Sequence, residues 1–177
     1  EMCIRDSPLV SNDPFSLSLY TLEYDNNKKL IYSTDTLKKN LKNYLSQYMM
    51  ISDSLNIRDA FIVNIGINFE VLALPSYTGR QVLLDCIQKV KEYFITANRN
   101  INQPINLARI TTVLDRVKGV QTVQKLEIIN KVGGNYSEFG YDVKGATRNN
   151  VIYPSYDPCF FELKYPDTDV KGRIITV

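Results

Sequence analysis

The sequence predicts an α+β fold: a small sheet with one long amphipathic strand, packed against about three helices. The strand is indicated by "AFIVNIGINFEVLAL", residues 60–74, where apolar residues occupy every second position from Phe61 to Ala73. The other face of this strand carries two asparagines, a glycine and a glutamate, so that face is expected to be partly wet. Three further segments repeat apolar residues at the helical period. An N-terminal β-hairpin and a mostly β or irregular C-terminal arm complete the prediction.

The N-terminal part of the chain contains a non-native start and a hairpin. Residues 1–7, "EMCIRDS", look like the translation of a transposon end used in sequencing libraries, read through into an open frame. We therefore expect a fragment whose true beginning is missing. In residues 8–33, two β-prone runs flank Asp25-Asn26-Asn27, which favours a hairpin turn. This hairpin is expected to end a preceding, truncated domain.

The first helix is predicted at residues 35–50, with Thr34 or Asp35 as its cap. Apolar residues fall at i, i+4, i+7, i+8, i+11 and i+12, which is a single stripe at helical period. The stripe consists of Leu37, Leu41, Tyr44, Leu45, Tyr48 and Met49.

Two more helices are predicted after the long strand. Thr78 and Gln81 have the spacing of a capping box at the start of the second helix. The third is predicted from Asn106 to Lys118, with Gly119 at the left-handed position that follows a helix end. A β-prone run then covers residues 120–131, and its alternation slips at 123–126, which indicates a bulge.

The residue pattern of the sequence changes after the Gly133-Gly134 turn. The remaining residues lose helical periodicity, and "CFFELKY", residues 159–165, is the one strand predicted there. The predicted organisation is therefore 1–7 as adapter-derived sequence, 8–33 as the hairpin, 34–131 as an α+β domain and 132–177 as the C-terminal arm.

Composition excludes several classes of function. A chain of 177 residues with 44% hydrophobic and 23% charged residues is an ordinary globular mixture. The formal charge of +2 gives no reason to expect nucleic acid or an anionic membrane as partner. Because the sequence has no histidine, Ser-His and Cys-His catalytic pairs and His-ligated metals are excluded. No cofactor and no metal are expected.

The cysteines are predicted to be inert. Cys86 lies on the apolar stripe of the second helix, and Cys159 precedes two phenylalanines. Both positions favour buried, reduced thiols over nucleophiles.

Four aspartates leave two interpretations open. Asp167 and Asp169 form a D-x-D pair in a proline-led turn, and Asp53 and Asp59 flank the approach to the long strand. They could be turn-forming or solvated carboxylates, or a catalytic or calcium-binding pair. The first interpretation is favoured because the spacing of a calcium loop is absent.

A basic cluster consists of Lys28, Lys29, Lys38, Lys39 and Lys42. It can be a solvated helix face, a contact for an acidic protein or a nucleic-acid contact. The solvated face is favoured, since no aromatic residues are interleaved for base stacking.

Aromatic residues are concentrated in the tail, next to three prolines. They are Tyr153, Tyr156, Phe160, Phe161 and Tyr165. Such residues can cover the end of their own domain, or they can form a protein–protein contact, because tyrosine and phenylalanine are enriched in interface cores.

The order of these parts resembles a known family. "LKNYLSQYMMISDSLNIRDAFIVNIGINFEV", followed by a helix and "INQPINLARITTVLDRVKGVQTV", is similar to the C-terminal region of the ring-forming baseplate wedge protein of T4-like contractile-tailed phages. The baseplate-J-like group shares the scheme of helix, long strand, two helices, "GV" and strand. "GATRNNVIYPSYDPCFFELKYPDTDVKGRI" is the most specific match, and the resemblance covers about residues 15–177.

The resemblance implies a structural protein of the virion and not an enzyme. Members of the family dimerise, join neighbouring wedges into a ring around the central hub and bind other wedge subunits. The expected location is the tail baseplate, after assembly in the host cytoplasm, with neither nucleic acid nor membrane as partner. No catalytic residues are implied.

Two alternatives belong to other functional classes. The chain could be a carbohydrate- or receptor-binding module of the tail that uses its tyrosines as stacking platforms. It could also be a carboxylate-dependent cell-wall hydrolase, which would need two acids facing each other across a cleft.

Overall fold

The protein is described by a computed structural model over residues 2–6, 16–26, 29–96 and 100–175, with backbone alone at 2–6 and 96. Its contacts divide the chain into two compact units. Unit 1 comprises Glu1–Ile62, Asn100–Gln103 and Pro154–Phe160. Unit 2 comprises Val63–Arg99, Pro104–Tyr153 and Phe161–Val177.

Helices and strands are mixed along the chain, which confirms the α+β fold class. The described elements are, in order, β1 (Met2–Asp6), β2 (Ser16–Tyr24), β3 (Leu30–Ile31), α1 (Asp35–Ser46), β4 (Ser54–Asp59), β5 (Phe61–Ala73), α2 (Gly79–Thr96), β6 (Ile105–Asn106), α3 (Leu107–Asp115), β7 (Val120–Asn130), β8 (Thr147–Arg148), β9 (Val151–Ile152), β10 (Cys159–Glu162), α4 (Pro166–Asp169) and β11 (Val170–Ile175).

Strand β2 organises the sheet of unit 1. It pairs antiparallel with β1 over residues 19–23, parallel with β4 over 16–21, and antiparallel with β3 at Glu23 and Tyr24. Strand β1 occupies one edge of β2. Strands β3 and β4 therefore both lie along the other edge. The β2–β3 pair confirms the predicted hairpin, although Asn27, Lys28 and residues 7–15 lie outside the described residues. Strand β4 was missed by the prediction.

The core of unit 1 gathers apolar side chains from separate parts of the chain. The 100–103 segment is tied to β10 by two hydrogen bonds of Asn102, which has a positive φ of 61°. Its N–H donates to the Cys159 carbonyl at 2.7 Å, and its Oδ1 accepts from the Cys159 N–H at 2.8 Å. The cluster consists of Leu22, Leu30, Ala60, Ile62, Ile101 and Phe160.

Strand β5 is the centre of the sheet in unit 2. It pairs antiparallel with β7, parallel with β11 and also with β10. The predicted alternation is correct, and Asn68 and Glu70 are half-buried as expected of a partly wet face. The prediction is wrong at Asn64 and Gly66, which are fully enclosed, so both faces of β5 are covered there.

Strand β7 confirms the predicted bulge. Lys125 pairs with Glu70 and Val123 pairs with Val71, so the intervening Gln124 has no partner residue on β5. A second shift leaves Gln121 unpaired in the same way. Each extra residue turns the following side chains to the other face, which explains the break in alternation.

The starts of α2 and α3 differ from each other. Asn106 caps α3, since its Oδ1 accepts from the Arg109 N–H at 3.2 Å. The capping box predicted for α2 is wrong, because the Gln81 backbone N–H donates to the Thr78 carbonyl at 3.0 Å and not to its hydroxyl. The side-chain amide of Gln81 donates forward to Asp85 at 3.0 Å. An i, i+4 pair on the helix surface has replaced the reciprocal cap.

Gly119 does not lie at the position predicted for it. Helix α3 ends at Asp115 with Arg116 as C-cap, and Gly119 closes a further turn before β7. Its φ of 92° is in the left-handed region, as predicted. A Cβ here would lie 2.8 Å from both Tyr77 Cγ and Val82 Cγ2. Glycine is therefore required for its backbone and for the space.

The tail is more regular than predicted. Strands β8 and β9 form a hairpin across Asn149 and Asn150, whose φ values of 51° and 60° are those of a type I′ turn. Beyond β10, the short helix α4 leads into β11, which adds a parallel strand to β5. The predicted strand at 159–165 is shorter, because it ends at Glu162.

The predicted boundaries at 8–33, 34–131 and 132–177 stay a prediction. The two compact units are assembled from non-adjacent segments, and grouping by contact does not show which segments fold alone. The pairing of Met2–Asp6 with β2 likewise leaves the origin of residues 1–7 open, since any β-prone chain can occupy a free strand edge.

Replacing Gly119 with alanine is expected to lower the free energy of unfolding by about 2–4 kcal/mol, the sum of left-handed backbone strain and overpacking. The measurement is urea unfolding followed by circular dichroism. Gly133→Ala is the control, because Gly133 has a φ of 81° but nothing within 4 Å of an added Cβ. It should lose only the backbone part, about 1–2 kcal/mol. Equal losses would contradict the steric argument.

Candidate functional site

The candidate acids near the long strand have structural partners. Asp59 accepts from Lys38 Nζ at 2.5 Å and from the Ser33 N–H at 3.1 Å, which fixes the start of α1 against the end of β4. Asp53 accepts from the Met50 N–H at 3.2 Å and closes the turn after α1. Both carboxylates thus hold local structure.

The D-x-D pair is divided between the surface and the interior. Asp167 is exposed and forms an ion pair with Lys91 at 2.5 Å. Asp169 is 2% exposed and accepts from the Tyr136 hydroxyl at 2.6 Å and from the Tyr165 N–H at 3.2 Å. The hydrogen bond to Asp169 raises the pKa of Tyr136, so this hydroxyl keeps its proton. The pair does not converge on a common site.

The most enclosed polar group of unit 2 is the side chain of Asn64, with no exposed surface. Its Nδ2 donates to the Glu162 carboxylate at 2.7 Å, and its Oδ1 accepts from the Ser137 N–H at 2.6 Å. Its backbone carbonyl accepts from the Lys131 N–H at 2.8 Å. One residue of β5 therefore holds β10 and the 131–137 segment in place.

The two described cysteines are buried, as predicted. Burial raises the pKa of Cys86 to about 11, with a smaller effect of nearby Asp85. Burial also raises the pKa of Cys159. Thiols in this state are neutral and poor nucleophiles at neutral pH. Within the described ranges, no group of three or more acidic or cysteine side chains is placed to hold a metal ion.

Two surface depressions occur in unit 2. One, of about 290 Å³, lies on the sheet face and is lined mainly by charged residues of alternating sign, including Lys125 and Glu127 at 3.0 Å from each other. The other, of about 460 Å³, lies between α2 and α3, with Val113 and Val117 among its lining residues. The first depression is lined by two glutamates, Glu70 and Glu127, of which Glu127 is paired with Lys125. The second has Asp85 among its lining residues. None of the helices in the described part has the length and hydropathy that a membrane crossing requires.

The predicted aromatic contact residues have different environments. Tyr153 is 48% exposed and Tyr156 is 91% exposed. Phe160 and Phe161 are interior residues, with 5% and 3% exposure. Tyr165 is half-buried and packs edge-on against Tyr136, with ring centroids 5.5 Å apart. Of these five predicted residues, only Tyr153 and Tyr156, in the 153–157 loop, are exposed.

A larger exposed apolar surface was missed by the sequence reasoning. None of the residues of α1 is buried, although its stripe has the pattern of a core-facing helix. Tyr44 and Tyr48 on the stripe are exposed, and so are Met50 and Ile51 in the following turn. The signal was available: two positions of the stripe are tyrosines, and the apolar residues Met49, Met50 and Ile51 follow directly after the second of them.

The similarity of this chain to known proteins is found among solved structures. No protein-family model matches the sequence, and no curated protein matches it either. Among solved structures, a chain of the "Cryo-EM structure of the anti-feeding prophage (AFP) baseplate, 6-fold symmetrised" is similar, with a TM-score of 0.43 and 14% sequence identity. The alignment covers 89% of this chain and 29% of that chain, so this chain spans less than a third of the other's length.

Replacing Asn64 with leucine is expected to lower the free energy of unfolding by about 2–4 kcal/mol, because the buried Glu162 carboxylate and the Ser137 N–H each lose a hydrogen-bond partner. Chemical denaturation measures the loss. Asn68→Leu is the matched control, on the same face of β5 but half-buried, and should cost less than about 1 kcal/mol. Similar losses in both variants would show that Asn64 is not a special position.

In a Cys3→Ser chain, a thiol reagent at pH 8 is expected to label neither remaining cysteine in the native state and both in guanidinium. The raised pKa of Cys86 means that the folded state favours the neutral thiol. This stabilisation is present below the ordinary thiol pKa and is lost as pH rises towards about 11. Fast labelling of native protein would instead identify a reactive thiol.

Proposed function

We propose that this chain is part of a structural subunit of a contractile phage tail baseplate. It acts as a wedge protein that dimerises, joins the ring around the hub and docks other wedge subunits. It does so in the virion tail after assembly in the host cytoplasm, and without catalysis. Support comes from the resemblance of residues 15–177 to the wedge family.

The observation that carries the proposal is the contrast between the polar interior and the apolar surface. Asp59, Asp169 and Glu162 are engaged in hydrogen bonds that hold elements together. Large apolar side chains on the surface, such as Tyr156 and Ile51, remain exposed in the single chain. Side chains of that kind supply contact area, which is what a subunit of an assembly needs.

The loop of residues 153–157 is proposed as one contact with neighbouring subunits. Its conformation is supported by Ser155 Oγ, which donates to the Asp157 carbonyl at 2.7 Å, and by the Tyr141 hydroxyl, which donates to the Tyr153 carbonyl. A supported loop loses little entropy on binding. Tyr153 and Tyr156 are its two contact side chains.

The second candidate function is a carbohydrate- or receptor-binding module of the tail. The nearly complete exposure of Tyr156 favours it, because a sugar ring can stack on a free tyrosine face. This candidate requires binding by a single copy, whereas the baseplate subunit requires association.

Self-association separates these candidates. In sedimentation over a range of concentrations, the chain is expected to form oligomers, and Tyr153→Ser/Tyr156→Ser should weaken association about tenfold or more. Tyr32→Ser is the control, because Tyr32 is 51% exposed but lies outside the loop. The loop prediction is contradicted if both variants behave like the parent chain.

A chain that stays monomeric and binds cell-wall glycans in calorimetry would favour the binding module. Hydrolysis of those glycans, abolished by an Asp or Glu substitution, would overturn the non-catalytic proposal altogether.

A further inference from the structure

The exposed apolar surface of α1 is a continuous part of the chain in unit 1. Tyr44 is 58% exposed, Tyr48 72%, Met50 76% and Ile51 108%. A helix of this length is marginal alone and normally gains its stability from a buried apolar face. The half-buried residues Leu37, Leu41 and Leu45 supply only part of such a face. The α1 surface, defined as Tyr44, Tyr48, Met50 and Ile51, is therefore unusual for a finished exterior.

The α1 surface is held in one conformation by local contacts. The rings of Tyr44 and Tyr48, one helical turn apart, have centroids 5.4 Å from each other. The turn that carries Met50 and Ile51 is closed twice by Asp53. Its carboxylate accepts from the Met50 N–H at 3.2 Å, and its own N–H donates to the Met50 carbonyl at 3.0 Å. A partner would thus meet a preorganised surface, which lowers the entropic cost of binding.

The part of the border of the α1 surface that lies on the helix is neutral. On a helix, residues three and four apart are neighbours, so Asn40 and Gln47 lie beside Tyr44. Both are exposed amides that donate and accept hydrogen bonds. Lys39 and Lys42 are five and two residues from Tyr44, which places them on other sides of the helix. Along the helix, the surface therefore offers no charge that would select an acidic or a basic partner, and the Asp53 carboxylate of the following turn is engaged by the Met50 N–H.

We propose that the α1 surface is a two-fold contact with a second copy of this chain, an inference that rests on the proposed self-association. The helices would run antiparallel, with Tyr44 of one copy facing the partner's Tyr48. A two-fold interface must be complementary to itself, because the same patch is used on both sides. Neutral aromatic and amide side chains meet this condition. Two identical aromatic rings do not repel each other, and two identical amides can both donate and accept hydrogen bonds.

The available area suits such a contact. Large side chains at these exposures offer on the order of 600 Å² per copy before their polar neighbours are counted. A standard interface buries about 800 Å² per partner. The aromatic pair would form its centre, where hot-spot residues concentrate, and the amides would form its rim. A ring of two-fold contacts needs two different ones per copy, and the 153–157 loop provides a candidate for the second.

The test uses the Tyr153→Ser/Tyr156→Ser chain as background, so that the loop contact is removed. This background is expected to be dimeric in sedimentation. Adding Tyr44→Glu/Tyr48→Glu, or Tyr44→Lys/Tyr48→Lys, places like charges opposite each other and should raise the dimer Kd by about a hundredfold or more. An equimolar mixture of the acidic and basic chains should form the dimer again. Leu84→Glu is the control, because Leu84 is 53% exposed but lies on α2.

Each outcome is decisive. A dimer that forms in the mixture, but in neither charged chain by itself, supports a two-fold contact at α1. Dimers that persist in both charged chains, or a monomeric background beside an oligomeric parent chain, overturn the α1 proposal and leave the proposed function standing. A parent chain that is itself monomeric at all concentrations refutes self-association in the proposed function as well. Thermal melts of each variant check the fold, and Ile51→Glu, in the exposed turn, tests the same surface without altering the helix.

Discussion

The hydrogen bonds of the buried Asn64 amide constrain the rest of unit 2. An amide without solvent access must find partners inside the protein, or its desolvation costs several kcal/mol. Here the donor is used by Glu162 of β10 and the acceptor by the Ser137 N–H. These bonds exist only when β5 presents Asn64 to that side, so a one-residue slip of the strand would lose them and turn the apolar positions away from the core. The same bonds hold the 131–137 segment over β5, which is why this strand is buried on both faces at Asn64.

The carboxylates and thiols described above have structural environments, and this is relevant to function. Ionisable side chains that could act as acids or bases are engaged in holding segments together: Asp59 at the start of α1, Asp169 beneath Tyr136, Glu162 beside Asn64. The thiols of Cys86 and Cys159 are enclosed and kept neutral. What the chain presents outward is shape and apolar area, on the α1 surface and the 153–157 loop. This arrangement supports the proposed docking function, in which affinity depends on a few well-supported side chains.

Sequence patterns predicted elements best where one physical rule acts locally. The alternation of β5, the bulge in β7 and the left-handed Gly119 depend on neighbouring residues, and each is found in the structure. Predictions failed where a competing contact decided the outcome. The side chain of Gln81 binds Asp85 and forms no reciprocal cap with Thr78. The short runs that form β4 and β11 become strands only because β2 and β5 offer them an edge. Of the predicted contact residues, Tyr153 and Tyr156 are exposed, whereas Phe160 and Phe161 are interior.

By itself, the sequence determined the α+β class, the helical and strand periodicities and the absence of histidine chemistry, because these depend on composition and on spacing along the chain. The tertiary structure alone decided which apolar faces are covered. The patterns of the α1 stripe and of β5 both predict a core-facing side. In the structure β5 is enclosed on both faces around Asn64, whereas Tyr44 and Tyr48 of the stripe are exposed. Periodicity states which side of an element is apolar. Whether another element packs on that apolar side depends on segments that are distant in the sequence. The position of these segments is fixed by strand pairing and by buried groups such as Asn64.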